Sequence, residues 1–282
     1  MKVLVTGANG QLGTDIIKAL QNIPHLGIDI NDCDITDKYQ TEKIITKYNP
    51  TAVIHCAAYT NVEKAETEPD ICHNINVNGT ANIAHACRLI GAKMLYISTD
   101  YVFSSEGQKA GSDNFHKATG IPHPINVYGQ TKYEGELAVQ ELLDSFFIVR
   151  ISWVFGKHGN NFVKTMLNLA KTKTEISVIK DQIGSPTYTA DLAPLLINMA
   201  ESKKYGIYHA TNEGECSWAE FAQEIFRQQG LNTKVNPILS SEYATRAKRP
   251  KNSRLDKSSL SEAGFKRLPT WQNALERMLT NE

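Results

Sequence analysis

Val3-Leu4-Val5-Thr6-Gly7-Ala8-Asn9-Gly10-Gln11-Leu12-Gly13 is the stretch on which the fold turns. Its first four residues are apolar or β-branched and stop at glycine, the pattern of a short buried strand. Thr14-Asp15-Ile16-Ile17-Lys18-Ala19-Leu20 follows with apolar residues at helical spacing. Strand, three glycines and helix is the context a dinucleotide fingerprint requires. Glycine lets the backbone turn sharply and come close to a pyrophosphate, and the helix N-terminus offers unpaired N–H groups and partial positive charge. The spacing here is GxxGxxG rather than GxGxxG. Tight strand–helix turns that bind nothing also use glycine, so the rest of the chain must decide.

Working outward, Leu26-Gly27-Ile28-Asp29-Ile30 reads as a second strand. Asp29 falls where an acid can bind an adenosine ribose, which leans toward NAD over NADP, or where a strand simply turns. Asp34-Ile35 reads as the edge of an adenine pocket. Ala52-Val53-Ile54-His55-Cys56-Ala57-Ala58 is a further strand ending in small residues, past which a cofactor could lie close. Pro69 opens a long predicted helix, Asp70 to Ile90, stopped by Gly91. Met94-Leu95-Tyr96-Ile97-Ser98-Thr99 is the next apolar strand. Ligands of an open parallel sheet bind beyond the carboxyl ends of its strands, which places Ser98, Thr99 and Asp100 near chemistry or at an ordinary turn.

Asn126-Val127-Tyr128-Gly129-Gln130-Thr131-Lys132 leads into a predicted helix. Residues four apart share a helical face, so the Lys132 ammonium can lie beside the Tyr128 phenol and lower its pKa toward neutrality. A phenol so tuned serves as a general acid or base. The same spacing also occurs on solvated faces. Phe146-Phe147-Ile148-Val149-Arg150-Ile151 is another strand. Beyond it the regular alternation lapses into Asn161–Ala170, Ile176–Ile179, Asp191–Ala200, Ile207–His209 and Ser217–Gln229. The fold predicted is α/β: a Rossmann-type doubly wound parallel sheet over residues 1–152, with segments around 187–212 returning to it. Residues 153–282 form a smaller, partly interleaved α/β substrate-binding domain. Residues 104–120 read as a polar loop bordering its mouth.

Bulk properties exclude several classes. Lysine plus arginine and aspartate plus glutamate number 30 each, so no global field recruits nucleic acid or a membrane surface. Mean hydropathy is −0.34, and no apolar run reaches the ~18 residues of a membrane span. A strand starting at Lys2 leaves no room for a leader. The five cysteines are widely spaced with no CxxC, and the eight histidines show no ligand spacing. The expectation is reduced cysteines, no metal and a cytoplasmic chain.

Taken together, these motifs resemble the extended short-chain dehydrogenase/reductase family, and within it the dTDP-4-dehydrorhamnose reductases. The resemblance runs from Val3 to about Met278. Its narrowest parts are Ser98-Thr99-Asp100-Tyr101-Val102-Phe103, Asp181-Gln182-Ile183-Gly184-Ser185-Pro186-Thr187 and Arg249-Pro250-Lys251-Asn252-Ser253-Arg254. It implies reduction of the C4 ketone of dTDP-4-dehydro-L-rhamnose with NADPH or NADH. Gly7, Gly10, Gln11, Leu12 and Gly13 would cradle the pyrophosphate, and Asp29, Asp34 and Ile35 would surround the adenosine. Ala57, Ala58 and Thr60 would line the nicotinamide path. Lys132 would bind the nicotinamide ribose, Tyr128 would donate the proton, and Thr99 would hold the reacting oxygen. Asp100 and Trp153 would contact the sugar, with Asn161, Gln182, Arg249 and Arg254 on the thymidine diphosphate. A nucleotide sugar is then the partner, no nucleic acid or membrane is expected, and a homodimer is the oligomer allowed. Related dehydratases carry Asp-Glu where this chain has Asp100-Tyr101, which disfavours elimination of water. Lys117-Ala118-Thr119 and Ser104-Ser105 depart from the family pattern. Two rival readings stand: a non-catalytic nucleotide-binding regulatory subunit of a methionine adenosyltransferase, and a reductase or epimerase of another sugar nucleotide.

Overall fold

The computed structural model describes residues 1–104 and 115–280, so most of the predicted loop at 104–120 lies outside the described residues. Strands alternate their side chains between two faces, and here both faces are apolar. Val3, Val5, Ile54, Leu95 and Val149 enter one core cluster, while Leu4, Val53, Met94, Tyr96 and Ile148 enter another. A strand apolar on both faces must be covered on both, which is the condition for a parallel sheet in an α/β fold.

That sheet has six strands in the order Gly206–His209, Phe146–Ile151, Lys93–Thr99, Ala52–His55, Val3–Thr6 and His25–Ile28. Every pairing is parallel. Helices Gln11–Leu20 and Thr189–Glu201 pack against each other on one side; helices Lys38–Tyr48, Thr80–Ile90 and Val127–Leu142 lie on the other. The order in which strands are added reverses between Val3–Thr6 and Ala52–His55, and such a switch point opens a crevice at the carboxyl ends of the strands. The glycine turn sits there.

The segment after Pro69 differs from the single helix expected. It consists of helix Pro69–His73, a π-helical turn Asn74–Gly79 and helix Thr80–Ile90. Asn76 accounts for the widened turn, because its amide serves the neighbouring loop: Oδ1 accepts from Tyr59 N at 2.8 Å and Nδ2 donates to Tyr59 O at 3.2 Å. Extra residues in a helical turn of this kind recur beside functional sites.

A third apolar cluster, around Phe155, Phe221, Trp271 and Leu275, forms the core of the later part of the chain. Three small sheets surround it, including Glu175–Ile179 paired with Lys234–Ile238. Between the six-stranded sheet and helix Val127–Leu142 lies a buried ion pair. Arg150 Nη2 and Nε donate to Glu136 at 2.6 and 2.8 Å, and Ser98 Oγ donates to the same carboxylate at 2.5 Å. These contacts tie two sheet strands to helix Val127–Leu142.

Candidate active site

Gly7 has φ of 64°, a conformation that disfavours any side chain. Its turn is closed by Gly10 N donating to Gly7 O at 3.0 Å. A Cβ at Gly13 would lie 2.1 Å from Gly7 O, and one at Gly7 would lie 2.7 Å from Ala57 N. Gly7 and Gly13 are therefore required by close backbone approach, and with Gly10 they leave a shallow cradle. Helix Gln11–Leu20 begins at this cradle with no side chain capping its first N–H groups. The donor set and the space fit a dinucleotide pyrophosphate.

From the cradle a cavity of about 1380 Å³ runs along the strand ends. Every expected cofactor contact borders it: Gly7, Gly10, Gln11, Leu12, Gly13, Asp29, Asp34, Ile35, Ala57, Ala58, Thr60, Tyr128 and Lys132. Asp29 stands just past strand His25–Ile28, which stops before it. Its carboxylate accepts from Asn9 N at 3.0 Å and Ile30 N at 2.8 Å, so it also holds the turn. Asp34 similarly accepts from Thr36 N and Oγ1 at 2.9 and 2.8 Å. The side chain of Gln11 is committed elsewhere. Its Nε2 reaches Val154 O at 3.4 Å, and its Oε1 accepts from Asn161 Nδ2 at 2.7 Å.

At the far end, Asn126 caps helix Val127–Leu142 by accepting from Gly129 N at 2.7 Å. Gly129 is a second position where space decides, since a Cβ there would lie 2.2 Å from Tyr101 O. The helix is thereby pressed onto the turn Asp100–Val102, bringing Tyr128 beside Thr99, with Tyr101 edge-on to its ring at 5.6 Å. Thr99 Oγ1 donates to Asp100 Oδ1 at 3.1 Å and accepts from Tyr101 N at 3.2 Å. The Thr99 hydroxyl is also a polar neighbour of the Tyr128 phenol.

Electrostatics here depart from the expectation. Burial raises the Tyr128 phenol above its ordinary value; the Thr99 contact opposes this and the Asp100 charge adds to it. Lys132 does not outweigh burial, because its ammonium is itself desolvated and sits 4.0 Å over the Tyr96 ring. Burial brings Lys132 down to about 7 against the attraction of Glu136 one turn on. The chain alone thus holds a phenol that stays protonated at neutrality, where a depressed one was expected. Asp100 is pushed up by burial to about 6, opposed by the Ser253 and Thr99 hydroxyls. Among the described residues its Oδ2 has no hydrogen-bond partner.

The depressed Lys132 has a consequence for stability. Unfolded, the group titrates near 10.5, so between about pH 7 and that value the unfolded chain holds more protons. Its contribution therefore grows as pH rises through this window, and is unfavourable below it. Denaturant titrations of the ligand-free chain at pH 7 and pH ~9 should show wild type gaining stability relative to Lys132→Met. Equal gains would contradict the assignment.

Of the expected substrate residues, Thr99, Asp100, Tyr128 and Trp153 border the cavity, whereas Asn161, Gln182, Arg249 and Arg254 do not. Asn161 instead caps helix Phe162–Ala170, with Oδ1 accepting from Lys164 N at 3.1 Å. Its amide also donates to Gly156 O at 2.8 Å. An Asn directly before an apolar helical run is a capping signal, and that reading accounts for it. Gln182 is buried. Arg249 pairs with Glu63 at 2.8 Å, and among the described residues its buried Nε has no partner. Arg254 Nε donates to Asn252 Oδ1 at 2.8 Å, and its Nη1 lies 3.5 Å from Glu215. Among the described residues no helix is long and apolar enough to cross a membrane, and no group of three potential metal ligands occurs. Residues missed in sequence are Glu136 and Arg150, whose pairing carries no local signal, and Trp218, which backs Trp153.

Comparison with known proteins follows the same lines. The family model described as RmlD substrate binding domain matches residues 1–282. The dTDP-4-dehydrorhamnose reductase of Aggregatibacter actinomycetemcomitans is 42% identical over 292 residues, covering 98% of each chain. A crystal structure of dTDP-4-dehydrorhamnose reductase from Bacillus anthracis in complex with NADP has a TM-score of 0.94 and 43% identity, with 99% of both chains covered. The corresponding protein of Clostridium acetobutylicum has a TM-score of 0.95 and 41% identity, covering 99% of this chain and 98% of its own.

Proposed function

Since the chain belongs to the RmlD substrate binding domain family, we propose that it is a dTDP-4-dehydrorhamnose reductase, reducing the C4 ketone of dTDP-4-dehydro-L-rhamnose to give dTDP-L-rhamnose. One observation carries the reading beyond family membership. Thr99, Tyr128 and Lys132 border the same cavity as the glycine cradle, so a proton donor and a dinucleotide seat share one space. When bound there, NADPH or NADH supplies the hydride. The protein's own part is to hold, orient and protonate.

In this reading the glycine turn and the N-terminus of helix Gln11–Leu20 seat the pyrophosphate, with Asp29, Asp34 and Ile35 beside the adenosine. Lys132 orients the nicotinamide ribose through its ammonium, which anionic neighbours would restore to full charge. Thr99 hydrogen-bonds the reacting oxygen and helps tune the Tyr128 hydroxyl beside it. Tyr128 donates its proton to the oxygen developing at C4. Burial keeps that proton on the phenol at rest, and an alkoxide is basic enough to take it. Asp100 and Trp153 contact the sugar. Arg249 and Arg254, with Asn161 and Gln182, would hold the thymidine diphosphate. Both reactants are charged metabolites of the cytoplasm, where this reading places the chain.

The direct test follows the near-ultraviolet absorbance of the reduced nicotinamide with dTDP-4-dehydro-L-rhamnose and each cofactor. Consumption with formation of dTDP-L-rhamnose is expected. A chain that binds nucleotide, reduces no keto sugar and co-purifies with a larger enzyme would support the regulatory-subunit reading instead. The cradle is tested by Gly13→Ala. With a Cβ 2.1 Å from Gly7 O, the turn must open, and NADPH affinity should fall at least tenfold, roughly one strong hydrogen bond's worth. The shift of melting temperature by saturating NADPH should shrink with it; an unchanged shift would contradict the seat proposed.

A further inference from the structure

Among the described residues, Asn49 and Trp153 are the non-glycine residues at positive φ. Asn49 ends a helix, a setting that tolerates the left-handed region. Trp153, at φ 49°, has no such excuse: it is bulky, follows strand Phe146–Ile151 and borders the cavity. A side chain held in this way persists where its surroundings over-determine it, and such outliers cluster at ligand clamps.

The surroundings are specific. Trp218 lies face to face with Trp153, ring centroids 3.7 Å apart and planes 11° from parallel. The indole is also pressed against Gly184, where a Cβ would come within 2.8 Å of its Cε2. Trp218 is packed in turn on Phe162 at 4.6 Å. Both backing residues are the first of their helices, and both helix ends are fixed by caps: Ser217 with Glu220, and Asn161. Trp218 itself does not border the cavity.

We propose that Trp218 is a positioning residue for sugar recognition, holding the Trp153 indole in its strained setting as a rigid wall of the sugar subsite. The proposal rests on the reading of Trp153 as a sugar contact. A wall fixed before binding spares the substrate the entropy of ordering it. Without the Trp218 face, the indole can leave the slot against Gly184 and relax, and the subsite loses its shape while the proton donor remains in place.

The test uses the full chain with Trp218→Leu, Trp218→Phe, Trp153→Ala and the double variant Trp153→Ala/Trp218→Leu. Loss of one stacked ring should raise KM for the sugar nucleotide about tenfold in Trp218→Leu. NADPH affinity should stay at the wild-type value and kcat should change little. Trp218→Phe, which keeps a ring in the slot, should recover most of the KM. In the Trp153→Ala background, Trp218→Leu should add nothing, since it acts through the missing indole. Near-ultraviolet circular dichroism should lose the same coupled-indole signal in either single replacement. If Trp218→Leu does not fold, Trp218→Met takes its place. A wild-type KM in a folded Leu or Met variant, or effects that multiply in the double variant, would overturn the proposal. Absence of turnover by wild type would instead defeat the reductase reading, so the two failures are told apart.

Discussion

Tyr128→Phe should lose about 10²–10⁴-fold in kcat, the range lost when a positioned proton donor is removed, while binding NADPH as wild type does. The replacement deletes one oxygen and keeps the ring, so the edge contact with Tyr101 at 5.6 Å survives. Lys132 keeps its place over Tyr96, and the glycine cradle is untouched. The loss therefore belongs to the step in which the C4 oxygen takes its proton. Steady-state turnover set beside a fluorescence titration with NADPH separates the two quantities. A variant with wild-type kcat would remove Tyr128 from the chemistry, whatever its position in the cavity.

The second large effect is on stability. Arg150→Met should cost about 3–5 kcal/mol, the loss found when one partner of a buried pair is removed. Arg150 and Glu136 are both sealed from solvent, with side chains 2% and 0% exposed. The fork of two hydrogen bonds and the Ser98 hydroxyl satisfy the carboxylate. Once the guanidinium is gone, Glu136 is a buried charge that keeps Ser98 as its side-chain hydrogen bond, with Lys132 one turn away. Replacing both residues, Arg150→Met with Glu136→Leu, should recover much of that loss because no charge is left stranded. Urea midpoints of the three proteins decide the matter. A loss under about 1 kcal/mol in the single variant, the worth of an exposed pair, would mean that water reaches the pair. The effect reaches the site as well, since Glu136 lies one turn beyond Lys132 and favours its charged form.

What could be read in the chain tracks how local each signal is. The unbroken apolar, β-branched run of Val3–Thr6 and the glycine spacing after it needed no knowledge of the rest of the molecule, and they led to the parallel sheet that is found. The Tyr128–Lys132 spacing likewise placed both residues on one helix facing one cavity. Its electrostatic sequel was misjudged. Proximity of an ammonium is visible in sequence, but desolvation is a property of the packed site, and burial governs both Tyr128 and Lys132. Asn161 is a different case. The family resemblance assigned it to a ligand, while the local rule for helix caps described what its side chain does. Trp218 was out of reach for a plain reason. Its stack on Trp153 joins residues far apart in the chain, and no periodicity records such a meeting. The π-helical turn at Asn74–Gly79 also left no trace in the apolar pattern, because it arises from the hold of Asn76 on the loop at Tyr59.

The chemistry is decided at the place where a sugar carbonyl would meet the Tyr128 hydroxyl. The measurement that reaches it most directly is a crystal structure of the chain with NADP and dTDP-L-rhamnose bound together. The expected result is the C4 oxygen within hydrogen-bonding distance of the Tyr128 and Thr99 hydroxyls, with the Trp153 indole alongside the ring. A sugar bound with C4 turned away from Tyr128, or seated outside the cavity that begins at Gly7, would contradict the account.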